Sequence, residues 1–257
     1  MKKITKILIL FFTYTALLNS VFAKDIKFIH LTDINLNSNN AKNLSETIKE
    51  INEYKDIDFV IFGGNNISSA DINKLNAFIK ITKKLNKKAY FLLGSNDVSS
   101  SNGIDKELFL YKVNKTHFYH SKKPNYVFKK NGYVFVAMDG AKEYFKTSHG
   151  CYTSQELKWL DETLKKYKNE NVIILQHFPL ALTNSTWLQT ARIEDYLEVL
   201  AKHNNVKIIV SGHYNINKEE KINGIYNIIT ESYDKNNAYK IIEINLEEDF
   251  IGTNLVK

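Results

Sequence analysis

Short apolar runs, separated by segments of helical periodicity, dominate the sequence after residue 23. The runs are Ile26–Leu31, Phe59–Phe62, Tyr90–Leu93, Val172–Leu175 and Ile208–Val210. Short runs of this kind are typical of strands that are covered on both faces. Between the first three runs, apolar residues recur at helical spacing, at Leu44, Ile48 and Ile51 and again from Ile72 to Leu85. This alternation predicts an α/β protein with a mixed sheet or two packed sheets.

The middle of the chain carries a hairpin pattern. Tyr126–Phe128 and Tyr133–Met138 flank Asn131-Gly132, and Asn-Gly favours the tight turn that joins antiparallel strands. No shift in composition marks an internal boundary, so residues 24–257 are predicted to form one domain. The remaining predicted elements are a helix capped by Thr153 or Ser154, a helix over 192–202, and strands over 225–230 and 239–246.

Residues 1–23 have the three-part form of a secretory signal peptide. Lysines precede a mostly apolar run from Ile7 to Leu18, and Val21-Phe22-Ala23 offers a cleavage site. A membrane anchor is the alternative, but the run is interrupted by polar residues and is shorter than the roughly 20 apolar residues of a membrane span. We therefore predict an exported protein, periplasmic or secreted, without a stable membrane anchor after cleavage.

The charge and the cysteine content exclude several classes. The formal net charge of +7 includes the lysines of the predicted signal peptide, and the other basic residues are interspersed with acidic ones. Because no basic patch contains interleaved aromatic residues, the sequence predicts no nucleic-acid partner. Cys151 is the single cysteine, which excludes an intrachain disulfide and a zinc-binding cysteine pair.

Polar side chains follow each of the apolar runs. In open α/β sheets ligands bind beyond the carboxyl ends of the strands, so these clusters are predicted to converge on one site. Gly64, Gly94 and Gly212 stand at the same turns, where a backbone must bend sharply or approach a ligand closely. The polar residues are Asp33, Asn35, Asn65, Asn66, Ser95, Asn96, Asp97, His177, His213 and Asn215.

At these turns the sequence resembles the calcineurin-like metallophosphoesterases. Their pattern is D-x-H, G-D-x-x, G-N-H-D/E, a lone H and G-H-x-H, each after a strand. The resemblance implies a four-layer α/β/β/α sandwich of two mixed sheets flanked by helices, and hydrolysis of phosphate mono- or diesters by two divalent metals. The matching segments are Leu31–Asn35, Gly63–Asn66, Gly94–Asp97, Gln176–Pro179 and Ser211–Asn215.

The departures from the family pattern fall on the metal ligands. By the family's assignment, Asp33, His177 and His213 are retained ligands, whereas neutral residues stand at the positions of four others. Those substituted positions are Asn35, Asn65, Ser95 and Asn215. Asn65 replaces the bridging aspartate, and a neutral amide cannot share negative charge between two cations as a carboxylate does.

The catalytic histidine of the family is also missing. Asn96 replaces the histidine that is thought to protonate the leaving group, and Asp97 matches the residue that orients it. A shift of one residue would place Asn96 on the asparagine ligand instead, but then Asp97 would stand at the histidine's position. Loss of a general acid typically lowers the rate by about 10²–10⁴-fold. Two-metal hydrolysis in the family's manner is therefore not expected.

Two functions remain open. The first is a secreted, catalytically impaired pseudophosphoesterase that works, if at all, as a binding or scaffold protein, through the remodelled polar cleft or a surface. In its plainest form no metal is bound, and the retained residues are hydrogen-bonded to the new asparagines. The second is a weak or altered phosphoesterase with one zinc, manganese or iron ion on Asp33, His177 and His213. The second requires these side chains to lie within about 5 Å of one another. The partner is undetermined, beyond a phosphoester small molecule if the protein is active.

Three other ionisable residues have plainer interpretations. His30 lies inside the first predicted strand and is expected to be packed in the core. Asp139 follows the predicted hairpin and is expected to cap a turn. His149 precedes Gly150 in a segment that in the family faces the active site, so both contact with a ligand and a surface position are open to it.

Overall fold

The computed structural model describes residues 25–117, 121, 123–145, 147–180 and 190–257, without the side chains of residues 116 and 117. The signal peptide predicted for residues 1–23 lies outside these ranges. Among the residues described, no helix combines the length and the apolar character that crossing a membrane requires.

Helices and strands alternate along the described chain. The strands are β1 (Ile26–Leu31), β2 (Phe59–Phe62), β3 (Ala89–Phe91), β4 (Tyr126–Lys130), β5 (Tyr133–Met138), β6 (Asn171–Gln176), β7 (Val206–Ser211), β8 (Lys218–Ile222), β9 (Ile225–Ile229), β10 (Tyr239–Asn245) and β11 (Phe250–Val256). The helices are α1 (Ala41–Glu53), α2 (Ile72–Thr82), α3 (Lys106–His117), α4 (Ser154–Lys166), α5 (Ile193–Ala201) and α6 (Tyr233–Asn236).

The strands form two mixed sheets. The first has five strands in the order β11-β10-β1-β2-β3, and the second has six in the order β4-β5-β6-β7-β9-β8. In the first sheet β1, β2 and β3 are parallel, while β10 and β11 are antiparallel additions beside β1. In the second sheet β5, β6, β7 and β9 are parallel, and β4 and β8 pair antiparallel at its edges. The parallel strands bring their carboxyl ends to one edge of each sheet.

The chain buries three layers of apolar side chains. Alternate residues of a strand face opposite sides, so β1 places Phe28 between the two sheets and Ile29 under the helices that cover the first sheet. Helices α1, α2 and α3 pack on the outer face of the first sheet. Helices α4 and α5 pack on the outer face of the second sheet, with Leu160 and Tyr196 fully buried. The predicted four-layer α/β/β/α sandwich is therefore confirmed.

Two local predictions follow directly from side-chain chemistry. Asn131 and Gly132 have φ values of 51° and 86°, the left-handed pair that a tight turn between β4 and β5 requires. Thr153 caps α4: its hydroxyl accepts from the backbone N–H of Glu156, whose carboxylate accepts from the backbone N–H of Thr153 in return.

Other boundaries differ from the predictions. The strand predicted over 90–93 is β3, which ends at Phe91, and the helical segment predicted up to Leu85 ends at Thr82. Leu85, Leu92 and Leu93 are nevertheless buried, because the apolar pattern continues into the loops that follow. Helix α3 and the strands β8 and β11 were not predicted at all.

Candidate metal centre

The three retained ligand positions lie at the carboxyl ends of strands from both sheets. Asp33 follows β1 of the first sheet, His177 follows β6 and His213 follows β7 of the second. Each offers a ligand atom, and these atoms lie within 4.8 Å of one another. The side chains therefore meet the 5 Å condition for a single-ion site, and all three residues are buried, with at most 4% of their surface exposed.

The turns that carry these residues adopt left-handed backbone conformations. Asp33 and His213 have φ values of 52° and 67°, a region that few residues other than glycine adopt and in which aspartate and histidine are enriched. Gly64 has a φ of 95°, and a Cβ atom added there would lie 2.6 Å from Nδ1 of His177. Only glycine therefore lets the turn after β2 approach the His177 ring so closely.

His177 is oriented as metal-ligating histidines are. Its Nδ1 lies 2.7 Å from the carbonyl oxygen of Gly63. A carbonyl oxygen can only accept, so Nδ1 carries the proton and the lone pair of the neutral ring is on Nε2. Nε2 has no hydrogen-bond partner among the described residues and lies 3.7 Å from Oδ1 of Asp33. A backbone carbonyl that sets the ring in this way is a common support of metal ligands.

His213 is held in its neutral form. Its pKa is lowered to about 3, mainly by burial and in part by the nearby His177 and His149 rings, while Asp33 acts in the opposite direction. Neither of its ring nitrogens has a hydrogen-bond partner among the described residues. A neutral buried imidazole with unpartnered nitrogens is suited to bind a cation, because it can offer a lone pair at neutral pH.

Asp33 supplies the charge of the cluster and is already well hydrogen-bonded. Its Oδ2 accepts from the hydroxyl of Thr32 at 2.9 Å and from the backbone N–H of His213 at 2.8 Å. Its Oδ1 accepts from the Nδ2 amide group of Asn65 at 2.9 Å. Neutral donors therefore stabilise this buried carboxylate in the absence of an ion.

Three asparagines form a chain of hydrogen bonds beside the cluster, which we call the amide chain: Asn65, Asn96 and Asn35. The backbone N–H of Asn96 donates to Oδ1 of Asn65 at 3.0 Å, and Nδ2 of Asn96 donates to Oδ1 of Asn35 at 2.9 Å. A backbone N–H can only donate, so Asn65 must turn its oxygen toward Asn96 and its NH₂ group toward Asp33. The oxygens of Asn65 and Asn35 are thus both engaged within the amide chain.

The amide chain ends on a residue that the sequence reasoning missed. Nδ2 of Asn35 donates to Oδ2 of Asp234 at 2.9 Å, and the hydroxyl of Ser232 donates to the other oxygen of Asp234. Asp234 lies in α6, far along the chain from the matched motifs. No sequence motif relates Asp234 to Asn35, so their contact is seen only in the structure, where α6 packs against the turn after β1.

Asp97 lies behind the cluster and contacts none of the three retained residues. Its carboxylate accepts from the backbone N–H groups of Gly94 and Ile67, at 2.8 and 3.1 Å, and from Nδ2 of Asn66 at 3.0 Å. Burial raises the pKa of Asp97 to about 7, although these donors act in the opposite direction. Asp97 joins the turns after β2 and β3 in this way.

The other two substituted positions lie at the rim. Ser95 is partly exposed and lines a small cavity of about 160 Å³ together with Asn96. Asn215 is partly exposed, has a φ of 56°, and is not hydrogen-bonded to the three retained residues. Of the four substituted positions, Asn65 is therefore hydrogen-bonded to the side chain of Asp33 and Asn35 to its backbone carbonyl, at 3.4 Å, whereas Ser95 and Asn215 form no such bond to Asp33, His177 or His213 among the described residues.

The remaining ionisable residues behave largely as the sequence indicated. His30 is fully buried, with Nδ1 2.8 Å from the hydroxyl of Thr230. Asp139 accepts from the backbone N–H of Ala141 at 3.0 Å, the turn cap that was predicted. It also forms a buried ion pair with Lys106, Nζ to Oδ2 2.6 Å, which the sequence did not indicate. His149 is partly buried and close enough to His213 to affect its pKa.

A two-sheet sandwich with aspartate and histidines at its strand ends defines a metallophosphoesterase fold. The model of the calcineurin-like phosphoesterase family matches residues 26–216, and the chain belongs to that family.

Curated relatives match only part of the chain. It is 32% identical over 85 residues to the 3′,5′-cyclic adenosine monophosphate phosphodiesterase CpdA of Haemophilus influenzae, covering 32% of this chain and 31% of the relative. It is 29% identical over 90 residues to a probable cyclic nucleotide phosphodiesterase of Synechococcus sp., covering 34% of each chain. The matches thus span about a third of these relatives' length.

Solved structures match over nearly the whole chain at low identity. A dimetal phosphatase from Danio rerio superposes with a TM-score of 0.68 at 14% identity, covering 90% of this chain and 98% of that one. GAP50, the anchor in the inner membrane complex of Plasmodium, superposes with a TM-score of 0.65 at 14% identity, covering 91% of this chain and 84% of that one. At these identities the likeness concerns the fold alone.

Proposed function

We propose that this chain is an exported, catalytically impaired member of the family that binds one divalent cation and does not carry out two-metal hydrolysis. The observation that supports this most directly is the hydrogen bond of 2.9 Å from Nδ2 of Asn65 to Oδ1 of Asp33. At the position of the bridging carboxylate, the chain presents a hydrogen-bond donor. A neutral amide that donates to Asp33 brings no negative charge of its own, so it cannot hold a second cation as a bridging carboxylate does.

The donor set fits one cation. Asp33 provides one negative charge, and His177 and His213 provide neutral nitrogens that have no partner among the described residues. Two histidines and a carboxylate suit zinc, manganese or iron. A second cation nearby would find neutral amides that are already hydrogen-bonded to one another, so its charge would be uncompensated.

An ion at this centre would act as a Lewis acid and lower the pKa of a bound water molecule. The residues around it do not supply the proton that a leaving group needs. Nδ2 of Asn96 donates to Asn35, and an amide does not release a proton near neutral pH. Asp97 faces Gly94, Ile67 and Asn66 and does not orient any histidine.

A single-ion phosphoesterase is the second candidate function. The orientation of His177 favours it, because the Nδ1 contact with Gly63 leaves Nε2 facing Asp33 as in a working metal site. Phosphodiesters, including cyclic nucleotides, are the first substrates to test, since the curated relatives are named as cyclic nucleotide phosphodiesterases.

Metal content and hydrolysis measured together distinguish the two candidates. The purified protein is loaded with manganese or zinc, desalted, analysed for metal, and incubated with 3′,5′-cyclic AMP, bis-p-nitrophenyl phosphate and p-nitrophenyl phosphate. We expect about one equivalent of metal, lost in His177→Ala, and no turnover above the buffer rate. His203→Ala is the matched control, because His203 pairs with Asp161 at 2.8 Å on α4, away from the cluster.

Two other results of the metal and hydrolysis assays would contradict the proposal. Metal-dependent turnover that His177→Ala abolishes would establish the second candidate in place of the first. Absence of bound metal together with absence of turnover would contradict the cation site and leave a pseudophosphoesterase without metal.

The export part of the proposal is tested separately. The protein recovered from the periplasm or medium is expected to begin at Lys24 by mass spectrometry. A protein that stays in the cytoplasm and retains residues 1–23 would contradict export.

A further inference from the structure

The edges of the two sheets differ in how they are protected. Edge strands expose unpaired N–H and C=O groups, and proteins usually shorten or charge them to prevent pairing with another chain. Within the described residues, β3 has three residues, β4 ends in Lys129-Lys130, and β8 reads Lys-Glu-Glu-Lys-Ile. β11 has seven residues, Phe-Ile-Gly-Thr-Asn-Leu-Val, without a charge or a proline. β11 is therefore an unprotected edge.

β11 is hydrogen-bonded on one side only. Among the described residues it pairs with β10, and no strand lies on its other side. Its residues are partly or fully exposed, and Phe250 has 47% of its surface accessible. Every second residue of such a strand directs its N–H and C=O groups outward, where they can form hydrogen bonds with the backbone of another strand.

The two faces of β11 are assigned by their contacts. The hydroxyl of Thr253 donates to Oε1 of Glu219 on β8 at 2.8 Å, and Ile251 packs against the core between the sheets. Val256 packs against the core under the helices, on the opposite face. By alternation Leu255 shares the face of Ile251 and Thr253.

We propose that β11 pairs antiparallel with the β11 strand of a second copy of this chain, centred on Thr253. This register places Phe250 opposite Val256, Ile251 opposite Leu255, Gly252 opposite Asn254, and Thr253 opposite itself. Three of these are favourable cross-strand pairs: the first is an aromatic residue with a β-branched one, the second is two aliphatic residues, and the last is two threonines. The five-stranded sheets of the two copies then form one continuous sheet about a two-fold axis.

The charges that flank β11 agree with the same register. Asp249 precedes the strand and Lys257 follows it, and both residues are exposed, although Lys257 also pairs with Glu231 of its own chain, Nζ to Oε2 2.9 Å. In the antiparallel pairing centred on Thr253, Asp249 of one copy faces Lys257 of the other at each end of the strand pair. Shifting the pairing by two residues in either direction separates these opposite charges, so the flanking residues favour the register that the apolar pairs require.

Cross-linking tests both the dimer and its register. In a Cys151→Ser background, Thr253→Cys places two cysteines directly opposite each other, where the Cα atoms of paired strands lie about 4.5–5.5 Å apart. We expect a disulfide-linked dimer on a non-reducing gel. Asn254→Cys is the matched control: each cysteine would face Gly252, and the two would be more than about 7 Å apart, too far for a disulfide.

Charge reversal and sedimentation complete the test. We expect the purified chain to sediment as a dimer and Asp249→Lys to raise the dimer dissociation constant at least about tenfold. The double variant Asp249→Lys with Lys257→Glu should restore part of the affinity, because Lys257→Glu also breaks the pair with Glu231 of its own chain. A monomer without a Thr253→Cys cross-link would overturn the proposal, as would a monomer in which hydrogen exchange shows β11 protected by another part of the chain. A dimer that cross-links equally through Asn254→Cys would overturn the register.

Discussion

At the level of single residues, Asn65 links the amide chain to Asp33 of the candidate centre. Its NH₂ group donates to the buried carboxylate of Asp33, and its oxygen accepts from the backbone N–H of Asn96. A buried carboxylate without donors is strongly unfavourable, so this donor stabilises Asp33. The hydrogen bond from Asn65 to Asp33 is lost if the side chain of residue 65 becomes a carboxylate.

Asn65→Asp is therefore expected to make stability depend on metal. It places two carboxylates side by side where the present bond is 2.9 Å long, so in EDTA we expect the free energy of unfolding to fall by about 1–3 kcal/mol. Added manganese or zinc should reverse the loss, because a cation can be shared by the two carboxylates. Urea unfolding with EDTA and with metal measures both effects.

Asn66→Asp is the matched control for this change. Nδ2 of Asn66 also donates to a buried carboxylate, Asp97, at 3.0 Å, but away from the histidines. We expect a comparable loss of stability that metal does not reverse. If metal restored both variants equally, or neither, the special position of Asn65 beside the cation site would be contradicted.

Much of the site, but not its hydrogen bonding, could be predicted from the sequence. The strand ends carry Asp33, His177 and His213, and the proximity of His177 to His213 follows from the pattern, because β6 and β7 are neighbouring parallel strands. Asp33 lies in the other sheet, so its approach to the histidines depends on how the two sheets pack. The orientation of Asn65 does not follow, because it depends on which neighbour donates to it. The contact of Asn35 with Asp234 joins distant segments through the packing of α6.

At the level of elements, apolar continuity and turn chemistry were predictive where they were strong. The hairpin of β4 and β5 and the cap of α4 rest on local side-chain chemistry, and both are present. β8 was missed because it contains charged residues instead of an apolar run, and β11 because glycine and asparagine interrupt it. Both are edge strands, which are stabilised by pairing with a neighbour more than by burial.

The central strand β1 carries a group that makes the fold sensitive to acid. The pKa of His30 is lowered from 6.5 to about 3, mainly by burial and in part by the nearby Lys240 and His177. Between these two pH values the unfolded chain binds a proton that the folded protein does not. The contribution of His30 to the free energy of unfolding is therefore constant above about pH 6.5 and falls as the pH decreases toward 3, by about 1.4 kcal/mol per unit.

His30→Asn is expected to flatten this acid dependence. Its amide can still bond to the hydroxyl of Thr230, which lies 2.8 Å from Nδ1 of His30, but it does not titrate. Urea unfolding of the wild type and the variant at pH 7.5 and pH 5 gives the comparison. We expect the wild type to lose about 2 kcal/mol more than the variant over this interval. Equal losses would show that His30 is not the group responsible.

At the level of the whole molecule, the candidate centre joins the two sheets. Asp33 belongs to the first sheet, whereas His177 and His213 belong to the second, so an ion bound to all three would cross-link the halves of the sandwich. Between the sheets the contact is otherwise largely apolar packing. A ligand that binds only the folded, assembled sandwich stabilises it in proportion to the logarithm of its concentration.

Metal should therefore raise the melting temperature of the entire domain in one transition. At a metal concentration about 100 times the dissociation constant the stabilisation is about 2.7 kcal/mol, which corresponds to roughly 5–10 °C for a chain of this size. Differential scanning calorimetry with manganese, zinc and EDTA measures the shift. We expect Asp33→Asn and His177→Ala to abolish it and His203→Ala to retain it, because His203 pairs with Asp161 outside the centre. A shift that survives in His177→Ala would place the cation elsewhere, and two separate transitions would show that the ion stabilises one sheet without linking it to the other.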